Sequence, residues 1–256
     1  MWEFSLNLKS ENFEIAKHIF LSLSKYIKDF DGVVTSHEEN GYICILLAVK
    51  KQYKDKTQKV ISNCIIETIC NNFKMKFLER YLSLPEHDKI GMNAFKKALL
   101  NFDRETDKFI VKKNLDFNKD IFLESFYFFR LKTLQEKWAE LVSLSNENKE
   151  YLLSSDSFID LLKFLVDNLD IYEDEISIVK EDGGYRIYSE DKTSDKSLVT
   201  EDTIVSSIID LSPQKINLYF NEPSKAITLI ERIFEERVTI NSASVQNINN
   251  VMIKFK

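Results

Sequence analysis

The sequence contains little glycine and proline, with five Gly and three Pro among 256 residues. An all-β protein with many hairpins needs more of these turn-forming residues, so the composition favours a fold dominated by helices. Hydrophobic residues make up 44% and charged residues 30% of the chain, as in ordinary globular proteins. A chain of this length can bury roughly 70% of its unfolded surface, so a stable core needs no disulfide or metal to support it.

Cysteine is scarce as well. Cys44, Cys64 and Cys70 are odd in number, form no CxxC pair and lie in apolar stretches, which predicts core thiols. No run of about 18 apolar residues is present, and the first residues lack the basic and apolar regions of a secretory signal. We therefore expect a cytoplasmic protein with no transmembrane segment.

Net positive charge is also missing. The net charge of −6 argues against broad binding to nucleic acid, which is driven by neutralising phosphates with Lys and Arg. The charge is uneven, since residues 1–128 carry 20 basic and 18 acidic side chains, whereas residues 129–256 carry 15 and 23. A solvated helix surface is the expected role of the lysines in the first half, which are Lys50, Lys51, Lys54, Lys56, Lys59, Lys74, Lys76, Lys96, Lys97, Lys112 and Lys113.

The first 52 residues predict a β-α-β-β unit. Its strand, helix and two further strands are expected at about 1–8, 10–27, 33–37 and 42–49. Alternating apolar and polar residues indicate the first strand, and an apolar residue at every third or fourth position indicates the helix. Glu39-Asn40-Gly41 joins the last two strands, because a tight hairpin needs residues that adopt a positive φ.

Residues 53–170 predict a helical region. Helices are expected from Asp55 to the Leu84-Pro85 pair and at about 91–113, 119–147 and 155–168. The first carries an apolar face that another layer must cover, formed by Ile61, Ile65, Ile69, Phe73, Phe77 and Tyr81. Leu84-Pro85 ends it, because proline pushes the preceding residue out of the helical region. Residues 158–166 are apolar on nearly all sides and predict a central core helix that buries Phe158, Leu162 and Leu165.

Residues 171–256 predict a C-terminal α/β region that begins after an acidic connector at 172–175. Glu181-Asp182-Gly183-Gly184 lies between two strands and predicts a hairpin. A helix, strand, helix and strand are expected beyond it at 201–211, 215–220, 224–235 and 237–241. A strand-helix-strand order predicts that the last two strands are parallel.

Together these patterns predict an α+β fold with a helix-rich core, an N-terminal β-α-β-β unit and a C-terminal β-hairpin plus α-β-α-β unit. The expected domains are 1–52, 53–170 and 171–256, with one compact domain as the alternative.

The sequence predicts no catalytic, cofactor-binding or metal site. His18, His37 and His87 lie far apart and match no zinc-ligand spacing, so we expect surface or capping histidines. Gly183-Gly184 is the only Gly pair, and it joins two strands beside two carboxylates, which would repel phosphate. No Ser or Cys stands in a nucleophile motif.

An aromatic cluster is the remaining candidate. Stacked nucleobases need such rings within a basic groove, and only Arg130 and Lys132 lie near them, so core packing is expected. The cluster consists of Phe122, Phe126, Tyr127, Phe128 and Phe129.

The second half of the chain carries apolar motifs in a distinctive order. These are 128–132 followed by Trp138, then 157–166, then 202–204 leading to 211–216, and finally 233–240. In this order they resemble the YtxC-like family of endospore-forming bacteria, over about half the chain. The resemblance implies a part in spore formation and brings no activity or catalytic residue. Many members carry cysteine after the final strand, whereas 241–244 has none, so no thiol or metal role is implied there.

Three functions follow as hypotheses. We favour a soluble, non-enzymatic module that binds a protein partner of unknown identity during sporulation, with the oligomeric state left open. The second hypothesis is an enzyme or nucleotide-binding protein whose site is assembled from scattered residues. The third is association with nucleic acid or an anionic membrane through the lysines of residues 50–113. On the first hypothesis, charge reversal at 50–59 or 173–175 should be more damaging than alanine at the three histidines.

Overall fold

The computed structural model describes residues 1–28, 30–83, 88–147, 155–189, 198–220 and 223–241. Strands and helices are interspersed along these residues. Its helices are α1 (Phe13–Ile27), α2 (Lys54–Glu67), α3 (Lys74–Tyr81), α4 (Lys89–Asn101), α5 (Arg104–Asn114), α6 (Leu123–Arg130), α7 (Lys132–Glu147), α8 (Ser155–Asp167), α9 (Glu201–Leu211) and α10 (Lys225–Phe234). Its strands are β1 (Trp2–Lys9), β2 (Gly32–Glu39), β3 (Tyr42–Val49), β4 (Ile121–Phe122), β5 (Glu173–Glu181), β6 (Gly184–Ser189), β7 (Pro213–Tyr219) and β8 (Val238–Ile240). The predicted α+β class is confirmed.

Contacts between residues divide the chain into two units. Unit 1 comprises Met1–Tyr81 and Arg104–Ser143, and unit 2 comprises Leu82–Asp103 and Leu144–Lys256. Each unit therefore combines stretches that are distant in sequence. The division into 1–52, 53–170 and 171–256 stays a prediction.

The sheet of unit 1 has the strand order β2-β3-β1-β4. The predicted β-α-β-β order is confirmed, and Asn40 (φ 51°) and Gly41 (φ 79°) form the turn between β2 and β3. β1 pairs antiparallel with β3 along its whole length and parallel with the two residues of β4. The sheet is thus almost entirely built from the first 49 residues.

One face of this sheet is buried under helices. Phe4, Leu6 and Leu8 of β1 belong to one apolar cluster with side chains of α1, α2, α5, α6 and α7. Two aromatic residues of helices in unit 1 are not covered, because Phe13 of α1 and Tyr81 of the predicted apolar face are exposed. Both lie in a terminal turn of their helix, where less of the surrounding structure covers the side chain.

Two long predicted helices are interrupted in the structure. The helix expected at 91–113 is divided into α4 and α5, because Asp103 adopts a positive φ of 52°. The helix expected at 119–147 consists of β4, α6 and α7, with a break at Leu131 (φ −110°). The helix end predicted at Leu84-Pro85 lies outside the described residues.

Unit 2 contains the second sheet, with the strand order β6-β5-β7-β8. The predicted β5-β6 hairpin is confirmed with Gly183 at φ 92°, and the predicted parallel pairing of β7 and β8 is confirmed as well. The prediction of an acidic connector at 172–175 is wrong, because Glu173 and Glu175 lie within β5. Glu173 is buried, and Glu175 accepts a hydrogen bond from Asn217.

Helix α8 lies in the core of unit 2. Phe158, Leu162 and Leu165 are buried as predicted. Phe164 is 58% exposed, so one side of the helix faces solvent although its residues are apolar on nearly all sides. Helices α4 and α9 pack side by side in the same unit. Salt bridges join Lys89 to Asp202 at 2.6 Å and Lys97 to Asp210 at 2.9 Å along the two helices.

Candidate functional site

The sheet of unit 1 has a second face, which we call the open face. Because side chains alternate along a strand, every other residue of β1, β2 and β3 points to it. Its rows across the three strands are Val33-Ala48-Glu3, Thr35-Leu46-Ser5, His37-Cys44-Asn7 and Glu39-Tyr42-Lys9, and Phe122 of β4 lies beside Asn7.

Apolar side chains run along the centre of the open face. The four residues that β3 contributes are Tyr42, Cys44, Leu46 and Ala48, whereas the flanking strands contribute mostly polar residues. Leu46 is 37% exposed and its neighbour Val33 on β2 is 63% exposed. A sheet face that only meets water usually carries polar residues. An apolar centre with a polar rim is instead typical of a protein-protein interface.

The open face is concave at one end. A depression of about 400 Å³ is lined by both apolar and acidic side chains, including Val33, Leu46, Ala48, Glu3 and Asp120. Ser5, which lies at the floor of this depression beside Leu46, is buried. A partner's apolar side chain could therefore insert between Val33 and Leu46 with carboxylates close by.

A second depression, which we call the aromatic groove, adjoins the open face. It measures about 370 Å³ and its lining includes Ile121, Phe122, Phe126 and Phe129, together with Asp120, which also lines the first depression. Phe122 contacts Tyr42 edge to face, with 5.3 Å between the ring centroids. The apolar surface thus continues from β3 across β4 to α6.

The aromatic cluster is therefore only partly core, and its expected burial is wrong for three of five residues. Phe126 and Tyr127 are buried, whereas Phe122, Phe128 and Phe129 are 44%, 54% and 74% exposed. In α6 the side chains of Phe126 and Tyr127 face the core, whereas Phe128 and Phe129 lie about 100° and 200° further round the helix than Tyr127 and face solvent. Phe122 precedes the helix, in β4.

The open face carries more acidic than basic groups. Its carboxylates are Glu3, Glu39 and the adjoining Asp120, and its one ammonium group is Lys9, while His37 lies 3.5 Å from Glu39. The adjoining aromatic groove is mixed in charge, because Asp116, Lys119 and Arg130 also line it. Burial raises the pKa of the Cys44 thiol at the centre of the face, and the charges of Glu39 and Asp120 raise it further. In the described part of the chain, Glu3 and Asp120 form no salt bridge.

Unit 1 also encloses a buried charged cluster of Lys74, Asp107, Lys137 and Trp138. Asp107 Oδ2 accepts from Lys74 Nζ at 2.8 Å and from Trp138 Nε1 at 3.0 Å, and Oδ1 accepts from Lys137 Nζ at 2.7 Å. Lys74 follows a π-helical segment, Thr68–Phe73, that joins α2 to α3. Burial lowers the pKa of Lys74, and the neighbouring Asp107 opposes that shift.

This cluster has the residue types of an acid-base site but no access for a substrate. Lys74 is 1% exposed and Asp107 is fully buried, so a reactant in solution does not reach either group in this conformation. π-helical segments are frequent at functional sites. Here the segment coincides with a structural role, since it places Lys74 opposite Asp107 between α3, α5 and α7. The prediction that Lys74 lies on a solvated surface is wrong.

The residues singled out in the sequence do not converge on one site. His18 and His37 are exposed, and His87 lies outside the described residues. Within the described ranges, no group of three or more His, Cys, Asp or Glu is placed to hold a metal ion. Gly183 lies in the turn between β5 and β6, and Gly184 is the first residue of β6. Lys50 pairs with Asp31, while Lys56 and Lys59 are exposed at the start of α2.

A comparison with models of known protein families assigns the chain to one of them. The model of the YtxC-like family matches residues 55–239, which is more than half of the chain. The chain belongs to the YtxC-like family. The match to the YtxC-like family includes β4 and α6 but begins after β3, so most of the open face lies outside it.

Other comparisons add nothing to this family assignment. No curated protein and no solved structure matches this member of the YtxC-like family. None of the helices in the described residues is both long enough and apolar enough to cross a membrane.

Proposed function

We propose that this member of the YtxC-like family is a non-enzymatic module that binds another protein during spore formation. The family membership supports the process, because the resemblance in the motifs is to proteins of endospore-forming bacteria. The open face and the aromatic groove are the proposed docking surface. Cytoplasmic residence belongs to the same proposal.

One observation carries the proposal: a continuous exposed apolar surface that runs from Val33 and Leu46 to Phe122 and Phe129. Single exposed apolar residues are normal on any protein. A contiguous apolar patch rimmed by polar residues is uncommon on a monomer and marks interaction sites. Large aromatic side chains of this kind also supply much of the binding energy at interfaces.

The test is a spore count in cells that carry Leu46→Ala or Phe129→Ala. Removing an interface anchor of this kind typically costs about 1–2 kcal/mol or more, which is roughly tenfold in affinity. We expect fewer heat-resistant spores from both variants. Thermal unfolding should match that of the wild type for Phe129→Ala, because Phe129 is 74% exposed, and should show only a small loss for Leu46→Ala, because Leu46 is 37% exposed.

Matched controls are available in the same unit. Phe109 on α5 is 64% exposed and Leu21 on α1 is 56% exposed, and neither lines the open face or the groove. Phe109→Ala and Leu21→Ala should leave spore counts unchanged. Equal loss in the controls, or normal sporulation of Leu46→Ala and Phe129→Ala, would contradict the proposal.

The charge-reversal prediction needs two changes. Reversal at Lys56 and Lys59 remains a test of partner capture, because both side chains are exposed. His37 lies on the open face, so alanine at this position no longer serves as a harmless comparison. Reversal at Glu173 or Glu175 would instead disturb the packing of β5, so a defect there would say nothing about a partner. A nucleotide or metal ion that stabilises the protein in a thermal-shift screen would favour the enzyme or nucleotide-binding hypothesis.

A further inference from the structure

The open face has the dimensions of a single helix. The eight residues of β3 rise about 3.4 Å each, which gives a length of about 27 Å. Three strands at about 4.8 Å spacing give a width of about 10–14 Å, and an α-helix with its side chains is about 10–12 Å across. A helix of about 18 residues, at about 1.5 Å per residue, would cover the face from end to end.

The apolar centre fits one side of such a helix. The row of Tyr42, Cys44, Leu46 and Ala48 is one strand wide, and Val33 and Phe122 extend it on either side. An amphipathic helix presents an apolar stripe of similar width, with polar residues on both flanks. One flank would then lie over β2 and the other would meet β1 at its exposed ends, Glu3 and Lys9, because Ser5 and Asn7 between them are already buried.

The charged residues at the rim of the open face indicate which charge the flanks of a bound helix should carry. Glu3 and Asp120 border one end of the open face. The row at the other end contains Glu39 and Lys9, on opposite sides of Tyr42. The acidity is local, because residues 1–128 as a whole carry 20 basic and 18 acidic side chains. Complementary charge across an interface favours the right partner and repels the wrong one.

We propose that the open face binds a basic amphipathic helix of a partner protein, with apolar residues against Leu46 and Val33 and lysine or arginine beside Glu3, Asp120 and Glu39. This inference rests on the proposed function and adds the chemistry of the partner. A second copy of this chain and an acidic segment are the alternatives that the test separates.

The probe is an 18-residue fluorescent peptide of leucine and lysine, patterned as an amphipathic helix. A matched peptide carries glutamate in place of every lysine. Binding of each to the full-length protein is measured by fluorescence anisotropy at low and at physiological salt. We expect the lysine peptide to bind and to weaken as salt rises, because screening shortens the reach of the rim charges to about 8 Å.

Two double variants with the same change in net charge decide where the peptide binds. Glu3→Lys with Asp120→Lys changes the rim, whereas Glu14→Lys with Glu79→Lys changes exposed positions on α1 and α3. We expect the rim variant to bind the lysine peptide at least about tenfold more weakly and the control to stay within about threefold, as for close interfacial charges. Amide chemical shifts should change along β2 and β3.

Several results would overturn this inference. They are equal affinity of both double variants, equal binding of the glutamate peptide, or chemical-shift changes away from β2 and β3. A dimer in sedimentation that Leu46→Asp dissociates would assign the face to a second copy of the chain. If peptide binding fails while Leu46→Ala still impairs sporulation, the proposed function stands and only the basic helix is wrong.

Discussion

Replacing Asp107 by alanine should be among the most destabilising single changes in unit 1. The carboxylate accepts hydrogen bonds from Lys74, Lys137 and Trp138, so its removal affects three donors at once. Lys74 is 1% exposed, and Asp107 opposes the lowering of its pKa by burial, so without this carboxylate Lys74 must either hold an uncompensated charge in the core or lose its proton. Breaking a buried ion pair by removing one partner typically costs about 3–5 kcal/mol.

The assay is urea unfolding followed by tryptophan fluorescence, to which Trp138 in the cluster and Trp2 on β1 both contribute. With a slope of about 2–3 kcal/mol per M, a loss of about 4 kcal/mol lowers the midpoint by about 1.3–2 M. Asp107→Asn keeps the size of the side chain and removes the charge, so it should account for most of the loss. A midpoint within about 0.3 M of the wild type for Asp107→Ala would refute the reasoning.

A matched double variant separates charge from packing. Lys74→Met with Asp107→Leu removes the two fully buried charges and keeps apolar volume, and such replacements of a buried ion pair are often neutral or stabilising by about 1–4 kcal/mol. Lys137 and Trp138 lose their acceptor in this variant as they do in Asp107→Ala. We expect the double variant to be far more stable than Asp107→Ala. If it is equally unstable, the cluster contributes through shape and the hydrogen bond of Trp138 rather than through its charges.

Three further predictions concern single positions. Leu162→Ala should cost about 2–5 kcal/mol in thermal unfolding, because Leu162 is fully buried, whereas Phe164→Ala on the exposed side of the same helix should cost little. Gly183→Ala should cost about 1 kcal/mol, measured by chemical denaturation, because φ of 92° is strained for any residue with a Cβ; no loss would place the turn elsewhere. Burial raises the pKa of Cys70 to about 12, so a thiol reagent at pH 8 should label the partly exposed Cys44 first and Cys70 only on unfolding, and mass spectrometry of the peptides would expose the reverse order.

The parts of the fold that the sequence predicts are those with local signals. Strict alternation identifies β1, and Asn40-Gly41 and Gly183 identify two hairpins by the backbone conformations that they permit. The breaks at Asp103 and Leu131 carry no glycine or proline. They arise because packing in the folded chain divides stretches whose local preference is a continuous helix.

The open face and the charged cluster were not predicted, for two different reasons. Residues 42–49 are apolar at nearly every position, which reads as a strand buried on both faces, although one of those faces is partly exposed. The apolar residues at every second position of β3, namely Tyr42, Cys44, Leu46 and Ala48, are the sequence signal that indicates the open face. Lys74 and Asp107 are 33 residues apart in the sequence and lie in separate helices, and no local sequence pattern predicts a contact at that separation.

The place of α4 in the chain bears on how the protein is synthesised. This helix belongs to unit 2, yet it is translated between two stretches of unit 1, about 100 residues before α9, the helix that it packs against. At about 5–20 residues per second, the ribosome needs about 5–20 s to add the missing partner. During that interval the side of α4 that packs against α9 in the finished protein lacks this neighbour. The nascent chain therefore keeps an apolar helix surface uncovered until Leu211 has been synthesised and has left the ribosome.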